Sequence, residues 1–206
     1  MHRLLPSLAG FLILLGGVSH ADISVPSPSN SSVPGCLVFC PAGDSTVRIV
    51  VRDFANNPIA GSMVVLDFSA CDTFVHCPVS PSDPYLIDDT QKTIRRTTDA
   101  NGVVLFPVRM GGTCHPVFTR VYADGVLLRY VTLATFDQDG DLQVSVADQA
   151  LAQTKVGTFD GSADFDCDLA VTAADVALVG PHIGHVCEQT TTVRHPGWGR
   201  LKVRYR

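Results

Sequence analysis

Two short segments of the chain carry aspartates at matching positions. The first is DQDGDLQVSVAD, Asp137–Asp148, and the second is DFDCDLAVTAAD, Asp164–Asp175, which begins 27 residues later. Both have Asp at positions 1, 3, 5 and 12, Leu at 6, Val at 8 and a hydroxyl residue at 9. A turning backbone with this spacing aims its carboxylates at one centre, and the carbonyl at position 7 joins them. A shell of about six or seven oxygens results, which is the ligand set of Ca²⁺. The repeat therefore predicts two Ca²⁺ sites.

Each predicted site takes its ligands from one copy of the repeat. For the first ion they are Asp137, Asp139, Asp141, the carbonyl of Gln143, Ser145 through a water, and Asp148. For the second ion they are Asp164, Asp166, Asp168, the carbonyl of Ala170, Thr172 through a water, and Asp175. We predict no catalytic residues and no organic cofactor.

Charge balance supports a bound cation. Lys155 is the only Lys, Arg or His between Asp137 and Asp175. Two like charges about 4 Å apart repel by roughly 4 kcal/mol at an effective dielectric constant near 20. Folded clusters of this kind therefore need a counter-ion. A solvated acidic surface is the alternative, but it does not require the same spacing twice.

A helix is predicted to follow each aspartate loop. Ser145 and Thr172 stand where an N-cap belongs, and Asp148 and Asp175 follow three residues later, as in a carboxylate version of the capping box. Alanines and leucines then recur at helical spacing in both copies. Loop, cap and helix together predict a duplicated loop–helix module.

This duplicated motif resembles the type I dockerin family. The resemblance covers about fifty residues and implies two Ca²⁺ ions and docking to a cohesin-type protein. The pair before position 12, which carries partner specificity in that family, is Val146-Ala147 in the first copy and Ala173-Ala174 in the second. Position 6 departs from the family pattern, because it is Leu142 or Leu169 and not Gly. If this position is left-handed, each Leu costs about 1 kcal/mol.

The stretch before the repeat has the pattern of a β-sandwich. Short β-rich runs are separated by turns such as Asp124-Gly125, and Asp99–Gly102 is expected to form a hairpin-type turn. The segments VRIVVRDFANNPIAGSMVVLDFS and TTDANGVVLF resemble the bacterial Ig-like and transthyretin-like domains. We therefore expect a mainly β fold, an Ig-like antiparallel β-sandwich of about seven strands followed by a small α-helical, EF-hand-like module.

The beginning of the chain predicts secretion. Residues 1–21 have a short polar start, an apolar run and small residues before a cleavage site at Ala21, as in a signal peptide. No later segment predicts stable membrane insertion. A net charge of −5, from 20 acidic and 15 basic residues, argues against nucleic acid as a partner. We expect an extracellular or cell-surface protein in a compartment that permits disulfides.

The predicted organisation has five parts. They are a signal peptide (1–21), a Ser/Pro-rich linker (22–43), the sandwich (44–135), the dockerin-like repeat (136–187) and a basic tail (188–206). The tail is expected to be a short strand or a frayed end. The alternatives are that it binds an anionic surface or folds against the acidic repeat.

The seven cysteines leave several pairings open. Cys167 and Cys187 are the only cysteines of the repeat and are expected to pair with each other. Two bridges are expected among Cys40, Cys71, Cys77 and Cys114, with Cys36 free. His182, His185 and Cys187 raise the possibility of a zinc or copper site, and surface or packing histidines are the favoured alternative.

These expectations lead to a function class. We expect a secreted, non-catalytic, calcium-binding modular protein for extracellular attachment or assembly, with the sandwich as a spacer or recognition unit. The competing class is a carbohydrate- or surface-binding adhesin in which Ca²⁺ is only structural. A small polysaccharide hydrolase built on Asp83, Asp88 and Asp89 is the third and least supported class. The predicted partners are a cohesin-type protein or a cell-surface glycan.

Overall fold

Ten strands and two α-helices form the part of the chain that the computed structural model describes, residues 24–78 and 82–187. The strands are β1 (Cys36–Phe39), β2 (Val47–Val50), β3 (Met63–Asp67), β4 (Val75–His76), β5 (Leu86–Asp88), β6 (Thr93–Thr97), β7 (Val103–Phe106), β8 (Met110–Gly111), β9 (Cys114–Ala123) and β10 (Val126–Thr135). The helices are α1 (Val146–Thr154) and α2 (Ala173–Val179), and a short 3-10 helix, Gly180–His182, follows α2. The predicted signal peptide and basic tail lie outside the described residues.

A six-stranded curled sheet, in the order β1-β10-β9-β3-β6-β5, is the largest element. β9 and β10 form its long central hairpin. Asp124 and Gly125 turn the chain between these two strands, with φ values of 47° and 81°. Two left-handed turn residues match the twist of the flanking strands, so the Asp-Gly signal produces the predicted hairpin.

The second layer is the two-stranded ribbon of β2 and β7. Side chains from both layers form one core, which includes Ile49 and Phe106 from the ribbon and Leu66, Ile94 and Leu133 from the sheet. The mainly β prediction is therefore confirmed. The turn at Asp99–Gly102 does not join paired strands, however. β6 belongs to the sheet and β7 to the ribbon, because Val104 and Phe106 are buried between the layers.

Residues 24–43 differ from the predicted linker. Ser32 and Val50 exchange both backbone hydrogen bonds, at 2.8 and 2.9 Å. β1 then pairs with the end of β10 in parallel, which departs from the fully antiparallel expectation. The apolar side chains of Leu37 and Phe39 are fully buried in the main core, and this burial stabilises the segment as an edge strand.

Three disulfides join the chain: Cys36–Cys167, Cys71–Cys114 and Cys77–Cys187. The predicted Cys167–Cys187 bridge is therefore wrong, and the free cysteine is the buried Cys40 and not Cys36. Each cysteine of the repeat faces the β-rich part, where its partner Cα lies 5.6 or 5.4 Å away. Three bridges indicate an oxidising compartment.

The repeat packs directly against the end of the sheet. Phe136 stacks on Phe165 with ring centroids 4.8 Å apart, and both belong to a second buried cluster. This cluster combines Ala134 of β10 with Val144 and Val179 of the repeat. The repeat and the sheet therefore share apolar packing. Within the described residues, no helix has the length and apolar character needed to cross a membrane.

Candidate metal sites

The first aspartate loop folds around its own carboxylates. Asp137 accepts hydrogen bonds from the backbone N–H groups of Gly140 at Oδ1 (2.7 Å) and Leu142 at Oδ2 (2.8 Å). Asp139 accepts from the N–H of Asp141, and Asp141 from that of Gln143. Asp137, Asp139 and Asp141 each offer a carboxylate oxygen within 4.8 Å of the others.

The second loop repeats this arrangement. Asp164 Oδ2 accepts from the N–H of Leu169 at 3.0 Å, which matches the bond between Asp137 and Leu142. Asp166 accepts from Asp168, and Asp168 accepts from Ala170, as in the first loop. Oxygens of Asp164, Asp166 and Asp168 also lie within 4.8 Å of one another. The sequence repeat is thus a structural repeat, with a cluster in each copy that could bind a metal ion.

Asp148 and Asp175 hold the loops closed from the first turn of each helix. Asp148 Oδ1 accepts from the N–H of Gln138 at 2.8 Å, and its Oδ2 accepts from the N–H of Ser145 at 2.7 Å. Asp175 makes the equivalent bonds to Phe165 and Thr172. Both predicted capping boxes are present. Neither carboxylate belongs to the aspartate clusters, so their ligand role stays a prediction.

The remaining predicted ligands take part in hydrogen bonds of the loops, and their ligand role stays a prediction. The hydroxyl groups of Ser145 and Thr172 accept from the N–H groups of Ala147 and Ala174 and face the capping carboxylates. Gln143 and Ala170 donate their N–H groups to the loop aspartates. Val144 and Val171, at position 8, do not pair with each other. Val144 bonds to the backbone at residues 184 and 185, and Val171 bonds to the backbone at residues 157 and 158.

Left-handed backbone occurs at position 6 of both loops. Leu142 has a φ of 68° and Leu169 a φ of 76°. Position 4 is also left-handed, with Gly140 at 78° and Cys167 at 64°. Leu169 is 75% exposed, so packing offsets little of the steric cost of about 1 kcal/mol. The N–H bond to Asp164 helps to hold this residue in place.

Burial makes the loop charges costly without a cation. Asp137 is 0% exposed, and burial raises its pKa to about 6, with further contributions from the nearby Asp148 and Asp141. Asp164 is 3% exposed, and burial raises its pKa as well. Among the described residues, no Lys, Arg or His forms an ion pair with any aspartate of the two clusters. Lys155 instead binds Gln138 and Ser162, at 2.8 and 2.7 Å.

Two glycines of the β-rich part form one wall of the first loop. A Cβ atom at Gly111 would overlap Oδ2 of Asp137. Gly112 donates its N–H to the carbonyl of Asp137 at 2.9 Å and has a φ of 82°. The Gly-Gly pair in the sequence indicates a turn, but only the fold shows that it makes room for a carboxylate 26 positions later.

The loop acids of the hydrolase alternative are engaged elsewhere. Asp83 forms a two-point ion pair with Arg109, with distances of 3.2 and 2.8 Å. Asp89 lies 3.3 Å from Nδ1 of His76, and Asp88 accepts from the N–H of Gln91. Both carboxylate oxygens of Asp83 are therefore bonded to the guanidinium group of Arg109.

No protein-family model, curated protein or solved structure matches this chain. Its function must therefore be argued from the geometry of its own side chains.

Proposed function

We propose that this chain is a secreted, non-catalytic protein whose duplicated loop–helix repeat binds two Ca²⁺ ions and serves extracellular attachment or assembly. One observation carries the proposal: two aspartate clusters have nearly the same hydrogen-bond framework, and neither has a basic partner among the described residues. The three disulfides support an extracellular site of action, in agreement with the predicted signal peptide.

Calcium suits these loops better than other common ions do. All the predicted ligands are oxygens, which favours a hard cation over zinc or copper. Mg²⁺ requires near-ideal octahedral geometry and keeps several waters, whereas Ca²⁺ accepts irregular shells of up to about eight oxygens. Asp148 and Asp175 each accept four hydrogen bonds, from three N–H groups and one hydroxyl group, so each carboxylate gives up one of these bonds when it binds the ion.

A dockerin-like docking role is supported by the exposed face of the repeat. Val146 is 71% exposed, and Ala147, Ala173 and Ala174 are exposed as well. Eight of the fifteen exposed large hydrophobic side chains in the described chain lie within residues 146–186. Exposed apolar side chains in this number on a module of about forty residues favour association with a partner. The β-rich part, which we interpret as an Ig-like or transthyretin-like sandwich, would then act as spacer.

A purely structural role for Ca²⁺ is the second candidate, and the disulfides favour it. Cys36–Cys167 and Cys77–Cys187 connect the repeat to the β-rich part, and the two also share a buried cluster. A module fixed in this way could serve to stiffen an adhesin whose glycan site lies on the strands.

Calorimetric titration of the full chain with Ca²⁺ tests the metal sites. We expect two equivalents to bind, and Asp139→Asn and Asp166→Asn each to remove one of them. Asp53→Asn is the matched control, because Asp53 also accepts a turn N–H, from Asn57 at 2.8 Å, but lies outside the repeat. A heat signal indistinguishable from buffer in the wild-type protein would contradict the proposal.

Partner binding separates the two roles. Capture of the Ca²⁺-loaded protein by a cohesin-type domain, lost in Val146→Glu, would support docking. Binding to a glycan array that is unaffected by Val146→Glu would support the adhesin instead. Absence of both would refute attachment through either of these partner classes and leave only the calcium sites.

A further inference from the structure

A cluster of mixed chemistry lies where the β-rich part meets the end of the repeat. Cys40 and Asp44 belong to the turn after β1, His182 ends the 3-10 helix, and His185 follows three residues later. Each offers a ligand atom, namely a sulfur, a carboxylate oxygen or a ring nitrogen, and all four atoms lie within 4.8 Å of one another. The elements that carry them are about 140 residues apart in the sequence.

The distances within the cluster match a tetrahedral metal site. Nδ1 of His182 lies 3.0 Å from Asp44 Oδ2, and Nδ1 of His185 lies 3.4 Å from the same oxygen. The Sγ of Cys40 is 3.5 Å from Nδ1 of His185. For zinc bonds of about 2.0–2.3 Å, the edges of a ligand tetrahedron measure about 3.3–3.8 Å. These three distances lie within a few tenths of an ångström of such edges, and the other pairs of ligand atoms lie within 4.8 Å.

Hydrogen bonding alone does not account for this convergence. The Nδ1 of His182 is buried and makes no hydrogen bond of acceptable geometry, although Asp44 Oδ2 is 3.0 Å away. Both imidazoles direct the same type of nitrogen at one carboxylate oxygen. A metal ion at the centre would satisfy the unpaired nitrogen, the second imidazole and the thiol together.

A Cys–His–Asp nucleophile is the main alternative, and the geometry argues against it. A catalytic triad of this kind needs the carboxylate on one ring nitrogen of the histidine and the thiol on the other. Here Cys40 and Asp44 both face Nδ1 of His185. Cys40 is also fully buried, whereas reactive cysteines are partly exposed to solvent.

We propose that Cys40, Asp44, His182 and His185 bind one Zn²⁺ ion in a tetrahedral structural site. One thiolate, one carboxylate and two neutral imidazoles balance the charge of a divalent ion, and this N/S/O set is typical of zinc. Asp44 supplies the fourth ligand, a carboxylate, where a blue-copper centre has a weak and long axial ligand. The thiol releases its proton to solvent when the metal binds. The proposal is independent of the two Ca²⁺ sites.

The surrounding structure holds these ligands in position before any metal arrives. Phe136 stacks on the His182 ring with centroids 3.9 Å apart. The carbonyl of His185 accepts from the N–H of Val144 at 2.8 Å, and the carbonyl of Cys40 accepts from that of Gly43 at 2.9 Å. Supports of this kind orient metal ligands and reduce the cost of assembling the site.

Zinc at this position would fasten the end of the repeat to the sheet. It would also account for a cysteine that stays unpaired while the other six form disulfides, because a coordinated and buried thiolate is shielded from exchange. The site would be a third link between the two parts, beside Cys36–Cys167 and Cys77–Cys187.

Cobalt is the probe for the test, because Co²⁺ replaces Zn²⁺ and absorbs visible light. The full chain, saturated with Ca²⁺ so that the aspartate loops are occupied, is titrated with Co²⁺ and then with Zn²⁺. We expect one equivalent of Co²⁺ to give thiolate charge-transfer absorption and intense tetrahedral bands, both of which Zn²⁺ abolishes. Absorption typical of octahedral cobalt without the charge-transfer band would overturn the proposal.

Ligand variants assign the signal to these side chains. Cys40→Ser is expected to remove the charge-transfer band, and His185→Ala to weaken Zn²⁺ binding by at least about tenfold. His115→Ala is the matched control, because this histidine pairs with Asp160 at 3.4 Å outside the cluster. Unchanged Zn²⁺ affinity in His185→Ala would refute the site, and that variant decides the question if Cys40→Ser does not fold.

Discussion

The buried carboxylate of Asp137 allows a direct test of the first calcium site through the substitution Asp137→Asn. The side chain keeps its shape, but asparagine has one acceptor oxygen where aspartate has two. It can therefore accept only one of the two backbone N–H groups that Asp137 now binds, those of Gly140 and Leu142. The substitution also removes the negative charge.

In the absence of metal, two opposing effects decide how the stability of Asp137→Asn compares with that of the wild-type protein. The pKa of Asp137 rises from 3.8 to about 6 on folding, so at pH 7.5 the ionised group lowers the free energy of unfolding by about 3 kcal/mol. A raised carboxyl pKa means that this cost is absent below pH 3.8 and complete above about pH 6. Asparagine avoids the cost but gives up a charge-assisted hydrogen bond of about 1.5–3 kcal/mol. We expect the free energies of unfolding of the wild-type protein and Asp137→Asn to differ by less than about 2 kcal/mol at pH 7.5 in the presence of chelator.

Calcium should stabilise the wild-type protein more than it stabilises Asp137→Asn. At a hundredfold excess over its Kd, each bound ion adds about 2.7 kcal/mol to the free energy of unfolding. Each kcal/mol raises the Tm of a chain of this size by roughly 2–4 °C. The wild-type Tm should therefore rise by roughly 10–20 °C with Ca²⁺, and that of Asp137→Asn by about half as much, because only the second loop still binds.

Thermal unfolding followed by circular dichroism measures the Tm of each protein. Each protein is measured once with excess chelator and once with saturating Ca²⁺. Asp53→Asn serves as control and should lower the Tm equally in the two conditions. If Asp137→Asn lowers the Tm by the same amount with and without Ca²⁺, the carboxylate only supports the loop backbone and the reasoning is refuted.

Three further predictions concern the disulfides, the loop backbone and the glycine wall. Replacing Cys36 and Cys167 with serine should lower the free energy of unfolding by up to about 5 kcal/mol, because the bridge spans 131 residues. Chemical denaturation measures this loss, and an unchanged free energy of unfolding would contradict the pairing. Leu169→Gly should raise the Ca²⁺ affinity of the second site up to about fivefold, because glycine relieves the strain of the left-handed backbone. Calorimetry measures this affinity, and a lower affinity would show that the leucine side chain assists binding. Gly111→Ala should reduce the Ca²⁺ stoichiometry from two to one, whereas Gly35→Ala, where a Cβ atom meets nothing within 4 Å, should leave it at two. Two retained sites in the Gly111 variant would show that the wall is not needed.

Local sequence signals predicted the local structure well. The aspartate spacing led to two loops with matching hydrogen bonds, and Ser145 and Thr172 are the N-caps of α1 and α2. The Asp124-Gly125 turn closes the β9–β10 hairpin. In each case the interacting groups lie within about twelve residues, so the backbone preferences of a few side chains are sufficient to decide the geometry.

Local sequence signals did not predict the contacts between residues far apart in the chain. The burial of Leu37 and Phe39 turned a predicted linker into an edge strand, and the docking of the repeat brought Cys167 to Cys36 and Cys187 to Cys77. Cysteine spacing carries no information about which partner comes near, since several connectivities satisfy the same sequence.

The sequence by itself therefore determined the duplicated loop–helix motif, its acidic clusters and the mainly β character of the remainder. Only the tertiary structure decided that Gly111 lies against Asp137 and that Cys40 and Asp44 meet His182 and His185. The physical reason is that the motif depends on contacts between residues within about twelve positions of each other. The contacts between the repeat and the β-rich part depend instead on how two apolar surfaces pack against each other.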